Sequence, residues 1–377
     1  MSSRELIHPF DVSLIHHFTD PHPTRTCPFM LTIPHSRPWI NSADIRAVAH
    51  VLRGGQIAQG DETAAFEREM GDFLDMLPGV AVSSGTAALH LALLGLGIGR
   101  GDEVILPSYV CVAPLHAVEY VGATPRLADI EPTSFNIEPL DVRRRITRHT
   151  RAIIVPHLFG LPADLDELLH LGIPIIEDCA QATGARYQNR PVGTFGALSI
   201  LSFYATKLFT TGEGGMVIGP DRRLLARIRD LRDYDERRQH KTRFNYKLTD
   251  FQAALGRSQL RRLPTMLARR SALAERYRRH WAALPIRVPA ADGRRTHAYH
   301  RFVISCPTAA ARVARRLSAM GVTARLPIFR PIHRTLGLEG FPGTDHAFRH
   351  ALSLPLYPTL TAREAEVVMG ALIRAIP

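Results

Sequence analysis

The chain has 377 residues, 45% of them hydrophobic and 22% charged, with a formal net charge of +12. This balance excludes a disordered, collagen-like or coiled-coil chain, and no run approaches the roughly 20 apolar residues that span a bilayer. The positive charge suits an anionic small molecule or a nucleic acid, but there is no basic tail, zinc-finger spacing or run of stacking aromatics to support the latter.

Residues 1–31 are rich in His and Pro and lack periodicity, so they read as a poorly ordered tail. Met30, just ahead of the first organised segment, is a candidate start. The N-terminal apolar run is broken by Pro9, Asp11 and His16, unlike a signal peptide, which points to a cytoplasmic protein. Helical periodicity marks 45–52 and 65–77; a short strand at 80–83 then leads into an apolar helix at 86–96. There follow a strand at 102–107, a helix at 110–121 and strands at 124–128 and 152–155. A helix at 164–171 and strands at 173–177, 197–204 and 215–218 complete the series. Such alternation predicts an α/β fold whose mostly parallel sheet is covered by helices on both faces. Ligands of such sheets bind beyond the carboxyl ends of the strands. Thr249 and Gln252 form a capping box that opens a long helical region to about residue 284, punctuated by Pro264. A strand at 299–306, a helix at 309–320 and a last helix opened by Thr361 and Glu364 form a smaller α+β region. The expected organisation is a tail at 1–31, a large domain at 32–263 and a small C-terminal domain at 264–377.

Of the 47 basic residues only Lys207, Lys241 and Lys247 are lysines. Lysine differs from arginine in being able to shed its proton and attack a carbonyl, so each survivor of this bias matters. Cys27, Cys111, Cys179 and Cys306 form no C-x-x-C pair and no metal-ligand spacing, so no metal is expected. Cys111 and Cys179 lie in apolar stretches and read as reduced core residues.

Four features sit at strand ends or helix starts. Ser83-Ser-Gly85-Thr86 joins a strand to an apolar helix, where open backbone N–H groups and a glycine suit an anion. Ile173-Pro-Ile-Ile-Glu177-Asp178 ends a buried strand in two acids, and a buried carboxylate needs a cationic or hydrogen-bonding partner. Ser202-Phe-Tyr-Ala-Thr206-Lys207 follows a strand and places a lysine where burial lowers its pKa. Thr210-Thr-Gly-Glu-Gly-Gly215 forms a tight turn or approaches a ligand. Taken singly, these also read as an N-cap, a capping aspartate, a surface lysine and a plain turn. Taken together and in this order, they match a pyridoxal phosphate site, which needs an anion pocket, a carboxylate on the pyridine nitrogen and a lysine for the Schiff base.

The sequence resembles the DegT/DnrJ/StrS family of pyridoxal phosphate-dependent sugar aminotransferases, which have the aspartate aminotransferase-like fold, over residues 34–376. The resemblance rests on Ser84-Gly-Thr-Ala-Ala-Leu-His90, Gly101-Asp-Glu-Val-Ile105, Gly122-Ala-Thr-Pro125 and Glu177-Asp-Cys-Ala-Gln181. It continues through Ser202-Phe-x-x-x-Lys207, Thr211-Gly-Glu-Gly-Gly215, Asn245-Tyr-Lys-Leu-Thr249 with Gln252-Ala-Ala-Leu-Gly256, and Leu354-Pro-Leu-Tyr-Pro358.

The resemblance implies that Lys207 is the Schiff-base lysine and proton carrier, and that Asp178 holds the pyridine nitrogen protonated. It implies that Gln181 lies near the phenolic oxygen, that Gly85, Thr86 and Ser202 contact the phosphate, and that Tyr109 stacks on the ring. Asn245 would reach the cofactor of a neighbouring subunit, so the site would form in a homodimer. The implied reaction is ping-pong transfer of an amino group from an amino acid, usually glutamate, to a keto-sugar, commonly nucleotide-linked. Residues 321–333 depart from the family's Gly-Ile-Gly-Thr…His-Tyr stretch, and there Arg325 or Arg330 is expected to meet an anionic part of the acceptor, such as a diphosphate. Related dehydratases carry histidine in place of the lysine or need an iron–sulfur cluster, and Lys207 with the absence of a cysteine cluster argues against both. A catalytically silent relative that binds the cofactor is the remaining alternative; it would show no half-reaction with any amino donor.

Overall fold

A computed structural model describes residues 32–235, 238–289 and 291–377, so the expectations for 1–31 lie outside the described residues. Ile33–Pro377 form one compact unit. Its centre is a seven-stranded sheet in the order β1-β9-β8-β5-β4-β2-β3. These strands are β1 (Val80–Val82), β2 (Glu103–Pro107), β3 (Thr124–Ala128), β4 (Thr150–Pro156), β5 (Ile175–Asp178), β8 (Leu198–Ser202) and β9 (Gly215–Ile218). Only β9 runs against the others, pairing antiparallel with both β1 and β8. The two short strands between β5 and β8, β6 (Arg186–Tyr187) and β7 (Arg190–Pro191), form a small sheet with β10 (Arg295–Thr296).

Side chains alternate across a strand, and here both faces are buried. Val104, Leu106, Ile154, Ile176, Leu198 and Ile200 point into one apolar layer. Their neighbours Ile105, Ile153, Val155, Ile175 and Leu201 point into the other. The first layer is closed by α3 (Gly85–Gly95), α4 (Ala113–Tyr120) and α7 (Arg222–Arg232), the second by α2 (Asp61–Leu74), α6 (Leu165–Leu169) and α8 (Asp250–His280). α1 (Ser42–Gly54) lies along α8, and α5 (Pro139–Arg145) sends Val142 into the second layer.

A third apolar cluster gathers β11 (Phe302–Ser305), β12 (Ala351–Leu354), α9 (Ala310–Ala319), α12 (Ala362–Ala375) and the end of α8 around Tyr277, Trp281 and Phe302. Ile33 joins it and bridges Val322. The short α10 (Ile332–Thr335) and α11 (Pro342–His350) complete the chain. Helix α8 runs on through Pro264.

The sequence reading overlooked α5, α7, α10, α11, β6, β7, β10 and β12. In α7 the apolar positions Leu225, Ile228 and Leu231 are spaced for one helix face, with Asp221 capping the start. The eight arginines of 222–243 masked that spacing, which becomes decisive only once the sheet offers a surface to cover. β12 is an edge partner of β11, and so short a strand has no stability until that pairing exists.

Asp250 ties two distant helices together. The residue ahead of α2 is Gly60, which offers no side-chain cap. Across the fold the buried Asp250 carboxylate takes the Gly60 N–H (2.7 Å), the Thr63 N–H (3.0 Å) and the Thr63 hydroxyl (2.7 Å). Asp250→Ala removes a cap and strands buried donors, and urea unfolding should register a loss of about 2–4 kcal/mol. A loss under about 0.5 kcal/mol, the range of ordinary surface changes, would show that water replaces the carboxylate.

Candidate active site

Because β1, β2, β4, β5 and β8 run parallel, their carboxyl ends open on one edge of the sheet, and the segments singled out in the sequence meet there. α3 starts at the end of β1, with the Ser84 hydroxyl accepting the Ala87 N–H (3.1 Å). That leaves the N–H groups of Gly85 and Thr86 as open donors of the helix N-terminus. Gly85 lies against the end of β8: a Cβ there would stand 2.9 Å from Ser202 Cβ and 3.2 Å from its Oγ. The two segments therefore frame one notch, lined by N–H groups and a hydroxyl, that only a glycine keeps open.

The glycine run at 212–215 serves this junction. Gly215 packs so closely on Ser84 that a Cβ would meet its carbonyl oxygen at 2.4 Å. Gly212, at φ 83°, turns the chain back so that Thr210 and Thr211 bond the Phe203 carbonyl and fold residues 203–211 into a closed loop. Lys207 sits in that loop, partly buried. Lys241 pairs with Asp230 (2.9 Å), and Lys247 with Asp233 (2.9 Å) and Asp235 (2.5 Å). The Lys207 amine has no hydrogen bond or ion pair among the described residues. Burial pushes its pKa below the ordinary lysine value and Arg301 adds to this, opposed by Cys111 and Asp178.

The two acids at the end of β5 have opposite environments. Glu177 points inward, accepting N–H groups of Gly193 (2.8 Å), Phe195 (2.7 Å) and Gly196 (2.7 Å) and bonding His157 Nε2 (3.1 Å). His157 Nδ1 accepts the Ala163 N–H (3.0 Å), so Nε2 is the donor to Glu177. The bonds from His157 and the loop outweigh desolvation and hold the Glu177 pKa down. The nearby Cys179 completes a buried trio whose oxygen and nitrogen atoms are already engaged. Asp178 faces the open edge. Burial pushes its pKa up, opposed by the Ala180 N–H on Oδ1 (3.0 Å) and by the Lys207 charge. No donor among the described residues reaches Oδ2.

Gln181 Oε1 accepts the Phe159 N–H (3.0 Å), leaving its amide N–H groups for the site. Tyr109 is buried against Phe135 and Phe159, with ring centroids at 6.0 and 6.5 Å. The member of its segment that faces Lys207 and Asp178 is Cys111. The expected core role of Cys111 is therefore wrong: it is exposed, because the chain turns at the end of β2 before α4 begins, whereas Cys179 is buried as expected. Asn245 is exposed, on a segment fixed by its neighbours Phe244 and Tyr246, whose N–H groups bond Leu231 O (2.9 Å) and Arg232 O (3.0 Å).

Segment 321–333 docks beside the end of β2. The Ile332 N–H donates to Ser108 O (2.9 Å), and His333 Nδ1 pairs with Ser108 Oγ (2.7 Å). Arg325 is exposed and interacts electrostatically with Arg301 and His35. Arg330 is exposed and donates one N–H, from Nη2, to the Arg334 carbonyl (2.9 Å). Arg301 and His300 were missed in the sequence, where they read only as the start of a strand. No local signal links them to Lys207, 94 positions earlier in the chain.

These residues fit pyridoxal phosphate. A notch of open N–H groups suits its phosphate, a buried carboxylate with an open oxygen suits a protonated ring nitrogen, and an unpaired amine suits its aldehyde. Fold and site together define a pyridoxal phosphate-dependent aminotransferase. Residues 38–373 match the DegT/DnrJ/EryC1/StrS aminotransferase family. The structure is similar to aminotransferase TlmJ from Streptoalloteichus hindustanus (31% identity, 91% of this chain and 98% of that one, TM-score 0.86). It is similar to DesV from S. venezuelae (36%, 88% and 93%, TM-score 0.84). It also resembles the putative sugar aminotransferase Spr1654 from Streptococcus pneumoniae in its PMP form (27%, 91% and 97%, TM-score 0.86). The chain belongs to the DegT/DnrJ/EryC1/StrS aminotransferase family.

Proposed function

We propose that this aminotransferase moves an amino group from an amino acid, glutamate foremost, to a keto-sugar carried on a nucleotide, by a ping-pong reaction. The observation that carries this reading is the unpaired amine of Lys207 beside the open carboxylate of Asp178, at the ends of the adjacent parallel strands β8 and β5. The names of the similar structures, a putative sugar aminotransferase among them, support the sugar acceptor.

Bound pyridoxal phosphate supplies the aldehyde and the electron-accepting ring. Lys207 would hold that aldehyde through its amine and would carry a proton to and from the donor's α-carbon. Its lowered pKa leaves a larger share of the amine unprotonated at neutral pH. Asp178 keeps the ring nitrogen protonated, an ion pair that its burial strengthens. Gly85, Thr86 and Ser202 cradle the phosphate, and Gln181 donates toward the phenolic oxygen. Tyr109 supports the ring's surroundings from within its aromatic cluster, with Cys111 on the open side. Asn245, exposed and without a partner in its own chain among the described residues, reaches the site of a second subunit in a homodimer.

Arg325 or Arg330 meets the acceptor's diphosphate. The test is spectral: the holoprotein's visible absorption should bleach with glutamate and recover with the right keto-sugar. Arg325→Ala should raise the acceptor KM about 10-fold, the value of one charge-assisted contact. An unchanged KM in both Arg325→Ala and Arg330→Ala would remove the diphosphate assignment, and failure to bleach with any amino acid would remove the aminotransferase reading.

A further inference from the structure

Arg301 is partly buried at the edge of the site. Its guanidinium has five N–H donors, of which the described structure satisfies one, with Nη1 donating to Pro327 O (3.2 Å). It forms no ion pair with a carboxylate among the described residues. Beside it is a cavity of about 30 Å³ lined by His35, Ser36, Thr206 and His300, so Arg301 shares a wall with the residue preceding Lys207. The buried His300 Nδ1 has no hydrogen-bond partner among the described residues.

The surroundings are cationic. Lys207 and Arg325 both act electrostatically on this group of residues, and among the described residues the buried Arg270 bonds only the carbonyls of Tyr299, His300 and Leu356. His35 is held neutral, its pKa lowered to about 3 by burial and by Arg301 and Arg325. A guanidinium withdrawn from water without a counter-anion is costly, so the fold must hold it in place.

Two loops do so. Ala298 N–H donates to Gly160 O (2.8 Å) and Arg301 N–H to Phe159 O (3.3 Å), and Phe159 is in turn tied to Gln181. Phe159 (φ 59°) and Tyr299 (φ 50°) both adopt the left-handed backbone that side chains resist. Gly160, at φ 100°, lies so close that a Cβ would meet Tyr299 N at 2.9 Å and Gln181 O at 3.1 Å. This strained clasp fixes Arg301 relative to Gln181.

We propose that Arg301 receives the α-carboxylate of the amino donor, in a pocket that Thr206 and His300 complete. The proposal rests on the aminotransferase reading. An α-carboxylate is two bonds from the reacting nitrogen, so the cation that binds it must stand beside Lys207. A nucleotide diphosphate lies across a sugar ring from the reacting carbon, nearer the outlying Arg325. The cofactor phosphate has its own cradle at Gly85 and Ser202.

The test compares wild type, Arg301→Gln and Arg301→Lys holoproteins by cofactor content, by the glutamate and keto-sugar half-reactions, and by calorimetry with glutarate, an unreactive carboxylate probe. Arg301→Gln should keep its cofactor and the keto-sugar half-reaction. It should need about 10- to 100-fold more glutamate for half-saturation and lose glutarate binding, with Arg301→Lys recovering part of both. Unchanged glutamate dependence, glutarate binding alike in wild type and Arg301→Gln, weakening confined to the keto-sugar step, or loss of cofactor would each overturn it. If wild type bleaches with no amino acid, the aminotransferase reading fails, while glutarate calorimetry still reports on the Arg301 pocket.

Discussion

Lys207→Arg should lower transamination at least about 10³-fold, because it removes both a nucleophile and a proton carrier, and general acid–base catalysis alone contributes 10²–10⁴. Arginine keeps the length and the charge but cannot lose its proton at any working pH. Borohydride treatment of the wild-type holoprotein and peptide mapping should place the cofactor on Lys207, and not on Lys241 or Lys247. The latter two are held in ion pairs with Asp230, Asp233 and Asp235. A label on either of them, or residual activity within 10-fold of wild type in the variant, would remove Lys207 from the chemistry.

The same amine leaves a mark on the cofactor-free protein. Burial lowers its folded pKa below the unfolded value near 10.5, so the unfolded chain binds more protons in the window just below that value. Stability should therefore rise with pH through the window. Lys207→Met should flatten that slope in urea titrations of the apoprotein while leaving the fold intact.

Asp178→Asn should cost about 10²–10³ in kcat, comparable to removing one preorganised charge-stabilising group, with the cofactor still bound. Asparagine fills the same space and keeps the acceptor for the Ala180 N–H, but it cannot hold a proton on the ring nitrogen. Glu177→Gln should behave differently. That carboxylate serves three backbone N–H groups and His157 inside the fold, so its loss should appear first in stability. Equal kcat losses in the two variants, with stability unchanged in both, would mean that the adjacent acids share a role that the structure separates.

The alternating strands and helices of residues 45–218 were legible because the inner strands are buried on both faces and so appear as short apolar runs. The strand boundaries were read to within a few residues, and 124–128 and 215–218 match β3 and β9. The Thr249 and Thr361 capping boxes were legible because both partners lie within one helical turn. α7 was hidden by its arginines, and β12 by its dependence on β11. At the site, Lys207 stood out through the scarcity of lysine and Asp178 through its position at a strand end. Cys111 and Arg301 had no such marker. One turned outward from an apolar stretch, and the other was brought in from the smaller region.

The sequence by itself determined the strand–helix order, the segments that carry chemistry and the edge of the sheet where they had to meet, since parallel strands send their carboxyl ends the same way. Only the tertiary structure decided which side chains face the site. It turned Glu177 inward and Asp178 outward, chose Cys111 over Tyr109, and set Arg301 beside Lys207 through the clasp of Phe159, Gln181 and Tyr299. The physical reason is range: strand period and capping act over a few residues, whereas orientation at a site is fixed by contacts between segments that meet only once the core has closed.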